Sequence, residues 1–201
     1  MRPVLNLSAA VLVLSSASAA PAFAADQPQA QISAFNNTLV SVMKNAKALG
    51  FQGRYAELKP AVEQTLDIPT MARIAAGPAW AGMTEAQRDA IIQAFTRLTI
   101  ASYAHNFDGW NGEHFTLEPN VETRGQDKVV QTRIVSKGGD SVTLAYRMRQ
   151  IGGAWKVIDI YYNGSISELT TRRSDFQATL AAGGPKALAE HLNAQAEKLS
   201  R

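Results

Sequence analysis

Hydrophobic positions in the first half of the chain recur at steps of three and four residues. Between positions 27 and 49 they are Ile32, Phe35, Leu39, Val42, Met43, Ala46 and Leu49. This spacing places the side chains on one face of an α-helix. The period continues through the following segments, with interruptions at Gly50 and Gly77. We therefore predict that residues 25–108 form a series of helices.

The longest of these helices is predicted from about Glu85 to His105. Thr84 and Gln87 match the capping-box pattern, in which the two side chains satisfy backbone N–H groups at the start of a helix. Apolar stripes pass through Phe95 and through Tyr103, which gives the helix a wide apolar face. We expect this helix to be the spine of the domain.

After Gly109 the hydrophobic period changes to two, which is typical of β-strands. Glycine pairs at positions 138–139 and 152–153 suit the turns of hairpins. We predict an antiparallel sheet over residues 113–162. Its last strand, from Trp155 to Tyr162, is apolar on both sides, which favours a central position.

Helical spacing returns after residue 165, with a break at Gly183-Gly184. Residues 165–201 are therefore predicted to be C-terminal helices. The order of helices, antiparallel sheet and helices predicts one α+β domain over residues 25–201. We expect a curved sheet of the NTF2-like roll type, with helices packed across one face and an apolar cavity between the two layers.

The N-terminus has the three parts of a secretory signal peptide. Arg2 is its positive end, residues 4–14 are its apolar run, and Ala22-Phe23-Ala24 is its cleavage site. The apolar run is shorter than the roughly 20 residues that span a bilayer. We predict that residues 1–24 are removed near Ala24 and that the mature chain is periplasmic. The alternative is a retained N-terminal anchor helix.

Composition narrows the class of protein further. The chain has 20 Lys and Arg against 17 Asp and Glu, and the basic residues do not cluster as they do in nucleic-acid-binding proteins. We therefore expect no nucleic acid as a partner. The chain has no cysteine, so it can have neither a disulfide framework nor a thiolate nucleophile. A hydrophobic core alone must hold the fold.

A search for catalytic and cofactor motifs finds little. His105, His114 and His191 do not have the spacing of metal ligands, and no glycine-rich nucleotide motif is present. Ser165 lacks the second glycine of a nucleophile elbow. We therefore predict no metal, no cofactor and no catalytic constellation, and we do not expect an enzyme.

Asp159 leaves two interpretations open. With regular alternation it shares a strand face with Trp155 and Val157, so it is a candidate buried carboxylate. We favour a structural ion pair with Arg172 or Arg173, because buried charges are usually paired. The alternative is a small periplasmic NTF2-like enzyme in which Asp159 is the general base.

The C-terminal half resembles a known family. The segment Trp155-Lys156-Val157-Ile158-Asp159, followed by Gly164, Ser167, Arg172, Arg173 and Phe176, is similar to the periplasmic MlaC-type phospholipid-binding carriers, also called the toluene-tolerance family. Residues 83–88, together with Phe95 and Tyr103, resemble the helix that precedes the family's first strand. The resemblance therefore covers nearly all of the mature chain. The serine follows Gly164 by three positions, where many members have two.

Five shorter segments resemble one subgroup of that family, named HpnM, which is encoded with hopanoid-biosynthesis genes. They are Phe51–Tyr55, Asp67–Ala72, Gly77–Trp80, Asn106–Gly109 and Thr171–Phe176. The resemblance implies a carrier that takes up phospholipid or hopanoid and shuttles it between the inner and outer membranes. The implied partners are an inner-membrane ABC-type lipid transport complex and an outer-membrane lipid acceptor.

A carrier must bury the hydrocarbon part of its cargo, since each exposed CH₂ costs about 0.8 kcal/mol. An alternating apolar sheet face under a wide helical face is suited to form such a cavity. The headgroup candidates are Arg147 and Arg149. The residues that we predict to line the cavity are Met71, Ile74, Trp80, Phe95, Leu98, Leu144, Tyr146, Met148 and Val157.

Overall fold

The fold is described here from a computed structural model that covers residues 27–201 in detail. The predicted signal peptide, residues 1–24, lies outside the described residues. The helices of the first half are α1 (Pro28–Lys44), α2 (Ala46–Thr65), α3 (Ile68–Ala76), a 3₁₀ helix (Gly77–Gly82) and α4 (Glu85–Asn106). The strands are β1 (His114–Leu117), β2 (Glu122–Arg124), β3 (Asp127–Val135), β4 (Ser141–Ile151), β5 (Ala154–Tyr162) and β6 (Ile166–Ser167). The chain ends with α5 (Glu168–Leu199).

Local sequence explains where these helices begin and bend. The predicted capping box at the start of α4 is confirmed, because Thr84 Oγ1 accepts from the N–H of Gln87 and the Gln87 side chain accepts from the N–H of Thr84. The helical geometry is interrupted at Gly50 in α2 and at Gly184 in α5, where φ is 58° and 70°. Glycine reaches these positive φ values without steric cost. The predicted break in the C-terminal helices therefore takes the form of a kink within α5.

The strands form one antiparallel sheet in the order β1-β3-β4-β5-β6, and β2 also pairs with β3. The central strand is β4, so the prediction that the strand of residues 155–162 is central is wrong. That strand, β5, is flanked on its outer side by the two-residue β6 and by a bridge from Leu66 to Val157. Helices α2, α3 and α5 also contact β5, which explains why this strand is apolar although it lies beside the edge of the sheet.

A β-bulge changes which residues of β5 face the helices. Met148 pairs with Val157, but Arg147 pairs with Asp159, so Ile158 is an extra residue in β5. Paired residues of neighbouring strands lie on the same face of a sheet. Val157 therefore lies on the inner face with Met148, whereas Asp159 lies on the outer face with Arg147.

The helices cover the inner face of the sheet, which confirms the predicted α+β class. Helix α4 contacts α2, α3 and α5, and the rings of Phe95 and Phe176 meet edge to face at 5.4 Å between centroids. The same buried cluster includes Val130, Tyr146 and Ile160 from the strands. Within residues 27–201, no helix has the length and apolar character needed to cross a membrane.

Candidate functional site

A cavity of about 590 Å³ lies between the second half of α4 and the inner face of the sheet. Its mouth is marked by Trp110, Val142 and Tyr162, whose exposed fractions of 48%, 45% and 42% are high for large hydrophobic residues. The cavity is lined by Met43, Thr99, Ser102, Tyr103, Asn106, Phe107, Asp108, Gly109, Trp110, Asn111, Glu113, Ile134, Val142, Leu144, Tyr146, Ile160, Tyr162 and Glu168. Its volume falls within the range of about 300–1,000 Å³ that is typical of small-molecule sites.

The floor of the cavity comes from neighbouring strands. Tyr146 pairs with Ile160 and Leu144 pairs with Tyr162, so these four side chains form one apolar surface. The alternation along β4 places Tyr146 and Leu144 on the same face. The site therefore depends directly on the alternating pattern in this part of the sequence.

The opposite wall is one face of α4. Thr99, Ser102, Tyr103 and Asn106 are three or four positions apart, so they lie next to one another on the helix surface. The Ser102 hydroxyl donates to the carbonyl of Leu98 at 2.8 Å and is therefore already satisfied within the helix. This wall combines an aromatic ring with small polar groups.

The loop after α4 closes one side of the cavity. Trp110 Nε1 donates to the carbonyl of Glu113 at 2.8 Å, and the carboxylate of Glu113 accepts from the N–H of Asn111 at 2.5 Å. These bonds hold the indole ring at the mouth. The Lys44 ammonium lies 5.1 Å from the centre of the same ring, in the geometry of a cation–π contact.

Tyrosine hydroxyls in the cavity remain neutral over a wide pH range. Burial raises the pKa of Tyr103 and of Tyr146 well above the ordinary value. Partial burial, with a smaller contribution from the charge of Glu168, raises the pKa of Tyr162 to about 12. At neutral pH these groups therefore act as neutral hydrogen-bond donors and acceptors.

The structure places two of the nine predicted lining residues, Leu144 and Tyr146, in the cavity. The other seven lie elsewhere. Met71, Phe95, Leu98, Met148 and Val157 are buried in the core, and Ile74 and Trp80 are partly buried against it. The hydrophobic pattern identified the inward-facing residues, but it did not distinguish the packed part of the interior from the open part.

Arg147 and Arg149, the headgroup candidates, lie on the outer face of the sheet, away from the cavity. Arg149 Nε donates to Asp127 Oδ1 at 2.6 Å, and Arg147 Nε donates to Asp127 Oδ2 at 2.6 Å. Both guanidinium groups hold the pKa of the buried Asp127 carboxyl below its usual value. Their interactions explain how a carboxylate is accommodated on this face.

The predicted ion pair of Asp159 with Arg172 or Arg173 is wrong. Asp159 accepts hydrogen bonds from the backbone N–H groups of Ile160 and Leu169 and from the hydroxyl of Ser167, at 2.8, 3.3 and 2.8 Å. These donors satisfy the carboxylate without a cation. Arg172 instead pairs with Glu168 at 3.3 Å.

Asp159 is also outside the lining of the cavity. Its three donors hold it at the junction of β5 and α5, and the general-base alternative lacks the cavity position that it requires. Within residues 27–201, no group of three or more His, Asp and Glu side chains is arranged to hold a metal ion.

Sequence reasoning missed most of the mouth of the cavity. Phe107, Trp110 and Glu113 belong to an irregular loop, where hydrophobic periodicity does not indicate which side chains point into the protein. One signal was present, because Trp110 stands between Gly109 and Gly112 in an otherwise polar segment. A large aromatic residue in such a loop favours a binding role.

Fold and cavity together define a class of protein: a small α+β domain whose antiparallel sheet and helices enclose an open, aromatic-rich binding cavity. Comparison with known proteins gives the family. The family model described as MlaC protein matches residues 33–194, and the chain belongs to this family.

One similar solved structure is the phospholipid-binding protein from Ralstonia solanacearum in complex with a phospholipid. It superimposes with a TM-score of 0.75 at 22% sequence identity, over 87% of this chain and 99% of that chain. At this identity the likeness establishes a shared fold. No curated protein matches the sequence.

Proposed function

We propose that this protein is a non-enzymatic carrier that binds the hydrocarbon part of a lipid in the cavity between α4 and the sheet. The observation that carries the proposal is the open, apolar and aromatic cavity of about 590 Å³. Membership of the MlaC family and the phospholipid held by the similar Ralstonia protein support it.

The size of the cavity limits how much of a lipid it holds. At about 30 Å³ for a water-sized group, the volume corresponds to about 20 such groups. One long acyl chain has about this size. A lipid with two chains would require the cavity to widen or would leave apolar surface exposed, at about 0.8 kcal/mol for each CH₂.

The compartment in which the carrier works follows from the predicted export. A signal peptide at residues 1–24 places the carrier in the periplasm, between the two membranes. In that compartment the carrier shuttles phospholipid or hopanoid between an inner-membrane ABC-type complex and an outer-membrane acceptor. The similarity of five segments to the HpnM subgroup supports hopanoid as a cargo.

Purification from a bacterial periplasm tests the proposal. Native mass spectrometry should find a one-to-one complex with lipid, and the polypeptide mass should correspond to a chain that begins at Ala25. After delipidation, the protein should transfer a labelled phospholipid or hopanoid from donor to acceptor vesicles. Bare polypeptide that neither retains nor transfers any added lipid would refute the carrier function.

A further inference from the structure

Among the described residues, the wall of the cavity carries carboxylates but no basic side chain. Asp108, Glu113 and Glu168 line it, and in the described part of the chain no Lys, Arg or His does. Phosphate and carboxylate groups are bound in proteins chiefly through Arg, Lys and backbone N–H donors. Among the lining residues, an anionic head group would therefore meet like charge; the Lys44 ammonium, which lies against the Trp110 ring, is not one of them.

Within residues 27–201, two of the three carboxylates have no cationic partner. Glu168 lies 3.3 Å from the guanidinium of Arg172. Asp108 and Glu113 have no ion-pair partner within 4.0 Å among residues 27–201. The negative charge of the mouth is thus concentrated on the loop that also presents Trp110.

Aromatic rings line the same cavity, and the face of an aromatic ring attracts cations. The rings that line the cavity belong to Tyr103, Phe107, Trp110, Tyr146 and Tyr162. The protein already uses one of them in this way, because the Lys44 ammonium lies 5.1 Å from the centre of the Trp110 ring. An ammonium group is therefore compatible with the chemistry of this mouth.

We propose that the cargo is an amphiphile whose head carries an ammonium group, held at the mouth by Asp108, Glu113 and the aromatic rings while its apolar part fills the cavity. This inference rests on the proposed function, since it takes the cavity as the lipid site. It predicts the charge of the cargo's head group, whereas the likeness to the fold of a phospholipid-binding protein does not predict that charge.

Three probes with the same chain and different heads test the inference: hexadecylamine, hexadecanol and palmitate. Their affinities for the delipidated mature protein are measured at neutral pH and low salt by displacement of a neutral fluorescent naphthylamine. Hexadecylamine should bind roughly tenfold or more tightly than palmitate, with hexadecanol between them. Lysophosphatidylethanolamine should likewise bind more tightly than lysophosphatidylglycerol, because only the former carries an ammonium group.

A double variant assigns the preference to the loop. Asp108→Asn with Glu113→Gln removes both charges, and the glutamine oxygen can still accept from the N–H of Asn111. The ratio of hexadecylamine to palmitate affinity should fall by roughly tenfold, while the affinity for hexadecanol stays the same. Asp89→Asn is the matched control, because Asp89 is exposed on α4 and lies about 15 Å along the helix from Thr99.

The possible outcomes separate this inference from the proposed function. If hexadecanol binds but palmitate binds as tightly as hexadecylamine, the charge preference is refuted and the carrier function stands. If the double variant keeps the wild-type ratio, Asp108 and Glu113 do not hold the head group and the inference is wrong. If no probe and no phospholipid binds, the proposed function fails and the inference fails with it.

Discussion

The carboxylate of Asp159 and the hydroxyl of Ser167 are joined by a hydrogen bond of 2.8 Å, and the same hydroxyl accepts from the N–H of Thr170 to cap α5. The carboxylate also accepts from the N–H of Leu169 at 3.3 Å. Two orphan N–H groups of the first turn of α5 are thus satisfied by one small network. This network fixes the point at which α5 leaves the sheet.

Replacing Asp159 tests the structural role of this network. Asp159→Ala should lower the free energy of unfolding by about 2–3 kcal/mol, because buried donors lose their acceptor. Asp159→Asn keeps one oxygen for the two backbone N–H groups and should cost about 1 kcal/mol or less. Both values are measured by urea denaturation.

The lipid affinity of both Asp159 variants should equal that of the wild type, because Asp159 lies outside the cavity. Fluorescent lipid displacement measures this affinity on the folded proteins. Loss of a lipid-modifying activity in the stable Asp159→Asn variant would instead support the general-base alternative.

Asp127 gives a second prediction, on the outer face of the sheet. It is 1% exposed and lies between the guanidinium groups of Arg147 and Arg149. Asp127→Asn should lower the free energy of unfolding at neutral pH by about 2 kcal/mol, because it leaves two charges without their partner. Glu122→Gln, which disrupts the exposed pair with Arg124, is the control and should have little effect.

The effect of Asp127→Asn should depend on pH with a defined sign. The pKa of the Asp127 carboxyl is lowered in the folded state by its arginine partners. Its contribution to stability is therefore present above the unfolded pKa of about 3.9 and is lost as the pH falls through the folded pKa. The difference between wild type and Asp127→Asn in urea denaturation should shrink below about pH 4. A difference that stays constant down to acid unfolding would contradict this account.

Much of this arrangement was predictable from the sequence, because periodicity reports which side of an element is buried. The alternation of Leu144, Tyr146 and Met148 identified the inner face of β4, and Thr84 and Gln87 located the start of α4. These signals are local, so they do not depend on how the elements are arranged in space.

The role of Asp159 was not predictable in the same way. Regular alternation placed it with Val157, but the extra residue Ile158 moves it to the opposite face. A bulge of this kind inserts one residue and leaves no clear mark in the hydrophobic pattern. Similarly, periodicity cannot separate a packed residue such as Phe95 from a cavity residue such as Leu144, because both face inward.

Tyr162 provides a prediction at alkaline pH. Its pKa is raised to about 12 in the folded protein, chiefly by partial burial and further by Glu168, against about 10 in an unfolded chain. The folded state therefore binds the proton of the Tyr162 hydroxyl more tightly than the unfolded chain does. The stabilisation that this tighter binding gives is fully present below about pH 10 and is lost as the pH rises through about 12.

The free energy of unfolding should therefore fall with pH above about 10, and it should fall less steeply in Tyr162→Phe. Urea denaturation at a series of pH values measures the slope, and phenolate absorbance of the folded protein measures the titration itself. Equal slopes in wild type and Tyr162→Phe would show that this hydroxyl does not contribute.

Filling the cavity is the most direct test of the site. Ser102 lies on the α4 wall, and a phenylalanine at this position would occupy space that the cargo needs. Ser102→Phe should abolish the binding of a neutral lipid such as hexadecanol while the protein stays folded, since the new ring enters open volume. Binding is measured by fluorescent displacement, and folding is measured by circular dichroism and urea denaturation.

Thr96→Phe is the matched control for this substitution. Thr96 is also half-buried on α4, and its hydroxyl donates to the carbonyl four residues earlier, as that of Ser102 does, in both cases at 2.8 Å. Thr96 is not a lining residue, so its substitution should leave hexadecanol affinity unchanged.

If Ser102→Phe and Thr96→Phe both bind hexadecanol with wild-type affinity, the lipid does not occupy the space between α4 and the sheet. Equal loss in both variants would indicate that a bulky residue disturbs α4 itself, and the specific role of the Ser102 wall would then be refuted.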